Sequence, residues 1–261
     1  MYNLPEMRPD NAAFWLAMRT ELSRRGVSNL TETLDFERKP VPQSIEPGTL
    51  FTQVCGWPLQ TIYKDQAAVI GIPIYEAAHC DGQTHCGVFL VHRDSPRRSL
   101  ADLRGCRFVF NSMHSNSGMN LPRRAVADLA RGAPFFAKVA ETHSQPANIE
   151  RVANGEADST CVDCVTFAFF VRHRPELADK VRVLAATPRT PAIPYVTSVA
   201  TPEPVRAALA AALQAVARAP EWEAARAGLM LTAVAPAAQA DYRIPCRYAE
   251  EAVALGYPNL E

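Results

Sequence analysis

No segment of this chain approaches the roughly 18 consecutive apolar residues that a membrane-crossing helix needs. The first residues also lack the basic, apolar and small-residue succession of a secretory signal. A charge excess is missing too: 27 Lys plus Arg balance 27 Asp plus Glu, so no overall basic field gathers nucleic acid or anionic lipid. Neither a nucleic-acid partner nor a membrane span is expected. Gly-x-Ser-x-Gly, a Walker loop and a dinucleotide Gly-x-Gly-x-x-Gly are all absent, which sets aside hydrolase and NTPase readings. Internal repeats are absent as well. What remains is the composition of a folded globule, 48% hydrophobic and 21% charged over 261 residues, long enough for one large domain or two lobes. The missing export signal leaves two expectations: periplasmic if a signal has been removed, cytoplasmic if Met1 is the true start.

Cysteine is present in an odd number, seven, so at least one thiol stays unpaired within the chain. Cys161-Val162-Asp163-Cys164 has redox or zinc-knuckle spacing, but no second Cys-x-x-Cys joins it. It lies in an apolar run continuing through Phe169 and Phe170, where cysteine behaves as a small buried hydrophobe. His79-Cys80 and His85-Cys86 flank Asp81-Gly82-Gln83-Thr84, which reads as an exposed turn and completes no zinc motif. The expectation is no metal and no cofactor.

The most informative stretch runs from Arg107 to Arg124: a buried strand, a hydroxyl-rich turn and the start of a helix. The first turn of a helix has backbone N–H groups without intrahelical partners and the positive end of the macrodipole, so it can hold an oxyanion. Ser115, Asn116, Ser117 and Gly118 suit that role, the serines as hydroxyl donors and Gly118 by allowing close backbone approach. The competing reading makes Ser115 or Ser117 an N-cap of the helix from Leu121 to Ala130.

Along the chain, a first helix is expected from an N-cap at Asp10 or Asn11 to Gly26, with Phe14, Trp15, Met18 and Leu22 on its buried face. Residues 35–47 are Pro-rich and charged and read as a loop or short helical piece, and 49–54 as a strand. Further strands are expected at 67–75, 87–92, 107–111, 139–142, 159–162 and 181–185, the later ones alternating with helices in an α/β pattern. Thr201 as N-cap and Pro202 open a helix with Val205, Leu209, Leu213 and Val216 on its core face, and 222–231 and 249–255 read as short helices. Open α/β sheets bind ligands beyond the C-terminal ends of their strands, and 115–118, His143 and Asp163 all follow predicted strand ends. Asp163 would favour a protonated oxyanion or an aminoalkyl ligand; its structural alternative is a helix N-cap, and His143 has a structural alternative too.

Ser99-Leu100-Ala101-Asp102-Leu103-Arg104-Gly105, the Ser-Asn-Ser-Gly turn, His143-Ser144, the 154–158 Asn-Gly-Glu-Ala-Asp and Cys161-Val162-Asp163 occur in an order that resembles the phosphonate-binding-like branch of the type 2 periplasmic binding proteins, substrate-binding components of ABC transporters. Gln53-Val54-Cys55-Gly56-Trp57-Pro58 and the opening Met1-Tyr2-Asn3-Leu4-Pro5-Glu6 extend the likeness more weakly. The resemblance implies an α/β, two-lobed fold, each lobe a mixed sheet flanked by helices, with the ligand cleft between lobes. Lobe one would hold 1–87 plus 188–261 and lobe two 88–187, with hinge crossings near 75–90 and 187–196. It implies a solute-binding protein, not an enzyme, that takes a small oxyanion (phosphonate, phosphate or phosphite) and works with an ABC transporter permease. Ser115, Asn116, Ser117, Gly118, His143 and Asp163 would hold the anion. Gln53, Trp57 and Tyr2 would close over its organic part, aromatic faces covering an alkyl group or a cation, and Tyr195, near the expected hinge, would supply a hydroxyl. A Cys55–Cys80 disulfide is likewise implied. The alternatives are an intracellular ligand sensor, or an enzyme on the same scaffold related to thiamine-pyrimidine synthesis.

Overall fold

Two sheets of different construction organise the chain, each within its own compact unit of the computed structural model, which describes residues 2–37 and 45–261. Met1 and the 38–44 part of the Pro-rich stretch lie outside the described residues. Unit 1 comprises Met1–Glu76, Asp81–Gln83 and Pro191–Asp241; unit 2 comprises Ala77–Cys80, Thr84–Thr190 and Tyr242–Glu261. Among the described residues no helix is long and apolar enough to cross a membrane.

Unit 1 is built on an antiparallel sheet in the order Thr52–Gln53, Tyr195–Ser198, Ala67–Tyr75, Leu231–Ala235. The first helix, Arg8–Arg24, begins earlier than Asp10 because a 3₁₀ turn, Pro5–Met7, leads into it and Pro9 fits the first turn, where its missing N–H costs nothing. Phe14, Trp15, Met18 and Leu22 are buried as the periodicity requires. Phe14 and Phe51 both stack on Tyr195, at 5.8 and 5.1 Å between ring centroids. The helix Glu203–Arg218 takes Pro202 rather than Thr201 as its N-cap, since the Thr201 hydroxyl is bonded to that of Thr197 at 2.7 Å. The short helix expected over 222–231 ends at Ala227. Leu231–Ala235 is instead a strand, where pairing with Ala67–Tyr75 outweighs alanine's helical preference.

Unit 2 carries a five-stranded mixed sheet in the order Lys138–Glu141, Arg107–Phe110, Ser159–Asp163, Gly87–His92, Val181–Ala186. The first three run parallel, and Gly87–His92 is antiparallel to both of its neighbours. Phe89, Phe108, Phe110, Met119, Val126, Phe135 and Phe136 form its core, with Phe108 and Phe136 stacked at 4.4 Å. Residues 242–261, which the resemblance assigns to lobe one, group with unit 2. Tyr257 and Leu260 enter this core, Arg124 pairs with Glu251 at 2.7 Å, and Phe135 N–H donates to Glu261 O at 2.7 Å. Such contacts join the tail to the helix Leu121–Ala130, a partnership of positions far apart in sequence.

One buried carboxylate anchors the helices of unit 1. Glu21 is 5% exposed and accepts from Arg24 and Arg25, each at 2.5 Å, and from Trp222 Nε1 at 3.2 Å. Burial alone would raise its pKa, but the bonds from Arg25, Trp222 and Arg24 outweigh this and hold it below the usual carboxylate range. Its stabilisation is therefore present above the unfolded value of about 4.3 and lost as pH falls through the lower folded value. Glu21→Gln is expected to lower the melting temperature at neutral pH, with the deficit shrinking as both proteins are taken through the acid range. A deficit independent of pH would show that Glu21 acts by shape alone.

Candidate functional site

Because three neighbouring strands of unit 2 run parallel, their C-terminal ends lie on one edge, and the antiparallel Gly87–His92 starts at that edge with Gly87 opposite Asp163. Four segments therefore converge there: 111–120 after the first strand, 142–148 after the second, 163–166 after the third, and 84–87 leading into the fourth.

The turn after Arg107–Phe110 enters a π-helical turn, Asn116–Asn120, which continues as the helix Leu121–Ala130. Ser115 is its N-cap: the hydroxyl oxygen accepts from Gly118 N–H at 3.0 Å. Gly118 is required here because a Cβ would collide with Asn111 Oδ1. Ser115, Asn116 and Ser117 are all at least 95% buried. The Asn116 side chain works within the protein, its Nδ2 donating to Thr190 Oγ1 at 3.1 Å and its Oδ1 accepting from Asn120 Nδ2 at 3.2 Å. The side chain braces the turn.

The helix Gln145–Ala153 follows Lys138–Glu141, and Ser144 caps it. Gln145 links two of the converging segments: its Nε2 donates to Ser117 Oγ at 3.0 Å, and its Oε1 accepts from Asp163 N–H at 3.0 Å. The second bond sets the orientation of the amide, since a backbone N–H can only donate. Ser117 Oγ is consequently an acceptor toward Gln145, and its own hydrogen remains a donor. The same logic applies to Ser115, whose oxygen is engaged by Gly118 N–H.

Asp163 combines two tasks. Its Oδ1 caps the helix Cys164–His173 by accepting from Val165 and Thr166 N–H at 2.8 and 3.2 Å. Its Oδ2 stands 2.5 Å from His85 Nδ1, both side chains being 2% exposed. Burial would lower the His85 pKa, but the Asp163 carboxylate, by charge and hydrogen bond, outweighs it and raises the imidazole above its usual value. Asp163 is thus both the helix cap and the counter-ion of a buried histidine. His143 adopts a left-handed backbone (φ 63°) and has an 81% exposed side chain, with Nδ1 3.6 Å from Glu141 Oε1. Gln145 is the residue of this segment bonded to the serine turn, through Ser117 Oγ.

In unit 1, Tyr75 gathers three of the expected residues: Tyr2 meets it edge-on at 5.5 Å, Gln53 Nε2 donates to its hydroxyl at 3.1 Å, and Tyr195 hydrogen-bonds it. Gln53 also donates to Ile193 O at 3.2 Å. Tyr195 is 5% exposed, and burial pushes its phenol up, so it is a core residue of the aromatic stack. Trp57 is half-buried in the first turn of the helix Gly56–Thr61.

Sequence reasoning gave Gln145, Asn111, Thr190 and Tyr75 no role at the site, and it left His85 beside a turn. Gln145 was within reach of the strand-end rule that found Ser117, since it opens the helix after the neighbouring strand. Asn111, 6% exposed with Oδ1 lacking a hydrogen-bond partner among the described residues, follows a strand end in the same way. His85 and Asp163 are 78 positions apart and carry no local signal of pairing. Cys55 and Cys80 are not joined by a disulfide. Cys80 instead faces Cys164, with its Sγ 3.7 Å away.

The family model of the phosphonate periplasmic substrate-binding proteins of ABC transporters matches residues 62–242. No curated protein matches in sequence. Among solved structures, a binding protein component of an ABC phosphonate transporter from Pseudomonas aeruginosa is 16% identical, with a TM-score of 0.74, covering 93% of this chain and 83% of its own. PhnD1 from Prochlorococcus marinus, in complex with methylphosphonate, is 14% identical, with a TM-score of 0.62 and coverage of 91% and 82%. A histidine kinase sensor domain with similarity to periplasmic binding proteins is 15% identical, with a TM-score of 0.54 and coverage of 85% and 87%. The shared feature is the two-lobed α/β fold of the periplasmic binding proteins.

Two substitutions test this construction. A Cβ on Gly87 would stand 2.7 Å from Cys161 Sγ and 3.0 Å from the Ser117 carbonyl, so Gly87→Ala is expected to cost about 1–3 kcal/mol in urea unfolding. Asp163→Asn keeps a good cap but breaks the buried pair and is expected to cost about 3–5 kcal/mol at neutral pH. A raised histidine pKa stabilises fully below its unfolded value of about 6.5 and less as pH climbs through the folded value. The wild-type protein should therefore lose stability on that alkaline flank, and the Asp163→Asn variant should not share this dependence.

Proposed function

The chain belongs to the family of phosphonate periplasmic substrate-binding proteins of ABC transporters, and from that membership we propose that it binds a phosphonate at the serine turn of unit 2. The observation that carries the reading is the direction of the two serine hydroxyls. With Gln145 Nε2 engaging Ser117 Oγ and Gly118 N–H engaging Ser115 Oγ, both hydroxyl hydrogens remain donors beside the start of the 116–130 helical segment. Two O–H donors together with first-turn N–H groups suit the oxygens of a tetrahedral oxyanion. Arg123 Nη2 donates to Asn120 Oδ1 at the far end of the turn, but among the described residues no arginine or lysine bond reaches Ser115, Ser117 or Gly118, so recognition relies on hydrogen-bond count and geometry rather than on a cationic clamp. Phosphate and phosphite present the same oxygens and are the competing ligands.

In this reading the protein performs no chemistry, delivers its ligand to a transporter permease, and works in the periplasm. His143 lies outside the anion contacts, while Asn111 and Gln145 join Ser115, Ser117 and Gly118 at the site.

A thermal-shift and calorimetry panel of methylphosphonate, aminoethylphosphonate, phosphate, phosphite and sulfate tests the proposal, because a ligand that binds only the native state raises the melting temperature. A phosphonate is expected to give the largest shift. Ser117→Ala should weaken its binding by about 1–2 kcal/mol, roughly 5- to 30-fold, and also lower the ligand-free melting temperature, because Gln145 Nε2 loses its buried acceptor. Ser115→Ala should additionally lower stability by about 1 kcal/mol through loss of the cap. A panel without any shift, or unchanged affinity in the Ser117→Ala protein, would overturn the assignment.

A further inference from the structure

The Cys-x-x-Cys spacing and the His/Cys turn, which the binding reading leaves unused, meet at one place in unit 2. Cys80 Sγ lies 3.7 Å from Cys164 Sγ. Cys86, one residue from His85, makes a side-chain hydrogen bond to the same sulfur and also points at His79 O from 3.7 Å. Cys161, the other half of Cys-x-x-Cys, points into the apolar core and is fully buried. Two thiols, those of Cys80 and Cys86, therefore meet at one sulfur, that of Cys164, and only Cys80 of the three is partly exposed.

We propose that Cys80 and Cys164 form a reversible disulfide-forming site, with Cys80 as the entry thiol and Cys164 as the resolving thiol. The geometry favours this pair. A disulfide needs the sulfurs about 2.05 Å apart, so the two must approach by roughly 1.7 Å, and Cys80 lies on a turn that includes the left-handed residues His79 and Gly82. Cys164 is the first residue of the helix Cys164–His173, where the positive helix end favours a thiolate. The S–H bonds from Cys80 and Cys86 and the nearby His85 hold its pKa far below the thiol range, while those same bonds and burial push Cys80 and Cys86 up.

A small disulfide oxidant, RS–SR, supplies the oxidising equivalents. Cys80, the partly exposed member, gives its proton to water and its thiolate attacks RS–SR, forming Cys80–S–S–R and releasing RS⁻, which takes up that proton as RSH. The Cys164 thiolate then attacks the Cys80 sulfur and expels a second RS⁻. The net change oxidises two cysteine sulfurs and reduces one RS–SR to RSH and RS⁻. The cross-link ties the 77–83 turn to the residue directly after Asp163. This site stands whether or not the bound solute is a phosphonate.

Incubating the full chain with oxidised glutathione and measuring intact mass and tryptic cross-links tests it. The expected result is loss of two hydrogen masses, reversed by reductant, with a Cys80–Cys164 linked peptide that persists in Cys86→Ser and disappears in Cys80→Ser. Glutathione retained on Cys80 as a stable adduct, a Cys86–Cys164 link, or an unreacted pair would each overturn the proposal. The wild-type peptide map decides the matter even if substitution at Cys164 prevents folding.

Discussion

The parallel register of Arg107–Phe110, Lys138–Glu141 and Ser159–Asp163 is the constraint from which the site follows. Parallel strands place successive strand-to-helix turns on one edge, so three helix starts, capped by Ser115, Ser144 and Asp163, come together. The antiparallel entry of Gly87–His92 at the same edge brings His85 and Gly87 against them. Position 87 favours glycine, because a Cβ there would stand 2.7 Å from Cys161 Sγ and 3.0 Å from the Ser117 carbonyl.

Within that frame the direction of each hydrogen bond matters more than charge. The Gln145 amide can face only one way, because Asp163 N–H must donate to its oxygen, and this single orientation makes Ser117 an acceptor inward and a donor outward. The formal charges nearby neutralise one another: Asp163 holds His85 and caps a helix at the same time. Such an arrangement is preorganised, since Ser115, Ser117, Gln145 and Asp163 have their partners in place before any solute arrives. Asn111 Oδ1, buried over Gly118, lacks one among the described residues.

The same side chains that look like ligand contacts in sequence do structural work in unit 1. Tyr2, Gln53 and Tyr195 assemble on Tyr75, and Tyr195 continues into a stack with Phe51 and Phe14. An aromatic residue with a hydroxyl satisfies both a core and a hydrogen bond, so its presence near a strand end does not distinguish binding from packing.

Local pattern determined a good deal. The strands Ala67–Tyr75 and Gly87–His92, the buried face of the first helix, and the strand–turn–helix order around Ser115 to Gly118 were all legible, because periodicity, capping residues and turn residues act over a few positions. Tertiary structure decided which of those local features meet. It paired His85 with Asp163, made Gln145 the link to Ser117, put the 242–261 tail into the core of unit 2, and set Cys80 against Cys164 rather than Cys55. A side chain's propensity depends on its own neighbours along the chain, whereas a buried ion pair or a bridging amide depends on two segments arriving together. That arrival is set by sheet order and register, which no single segment encodes.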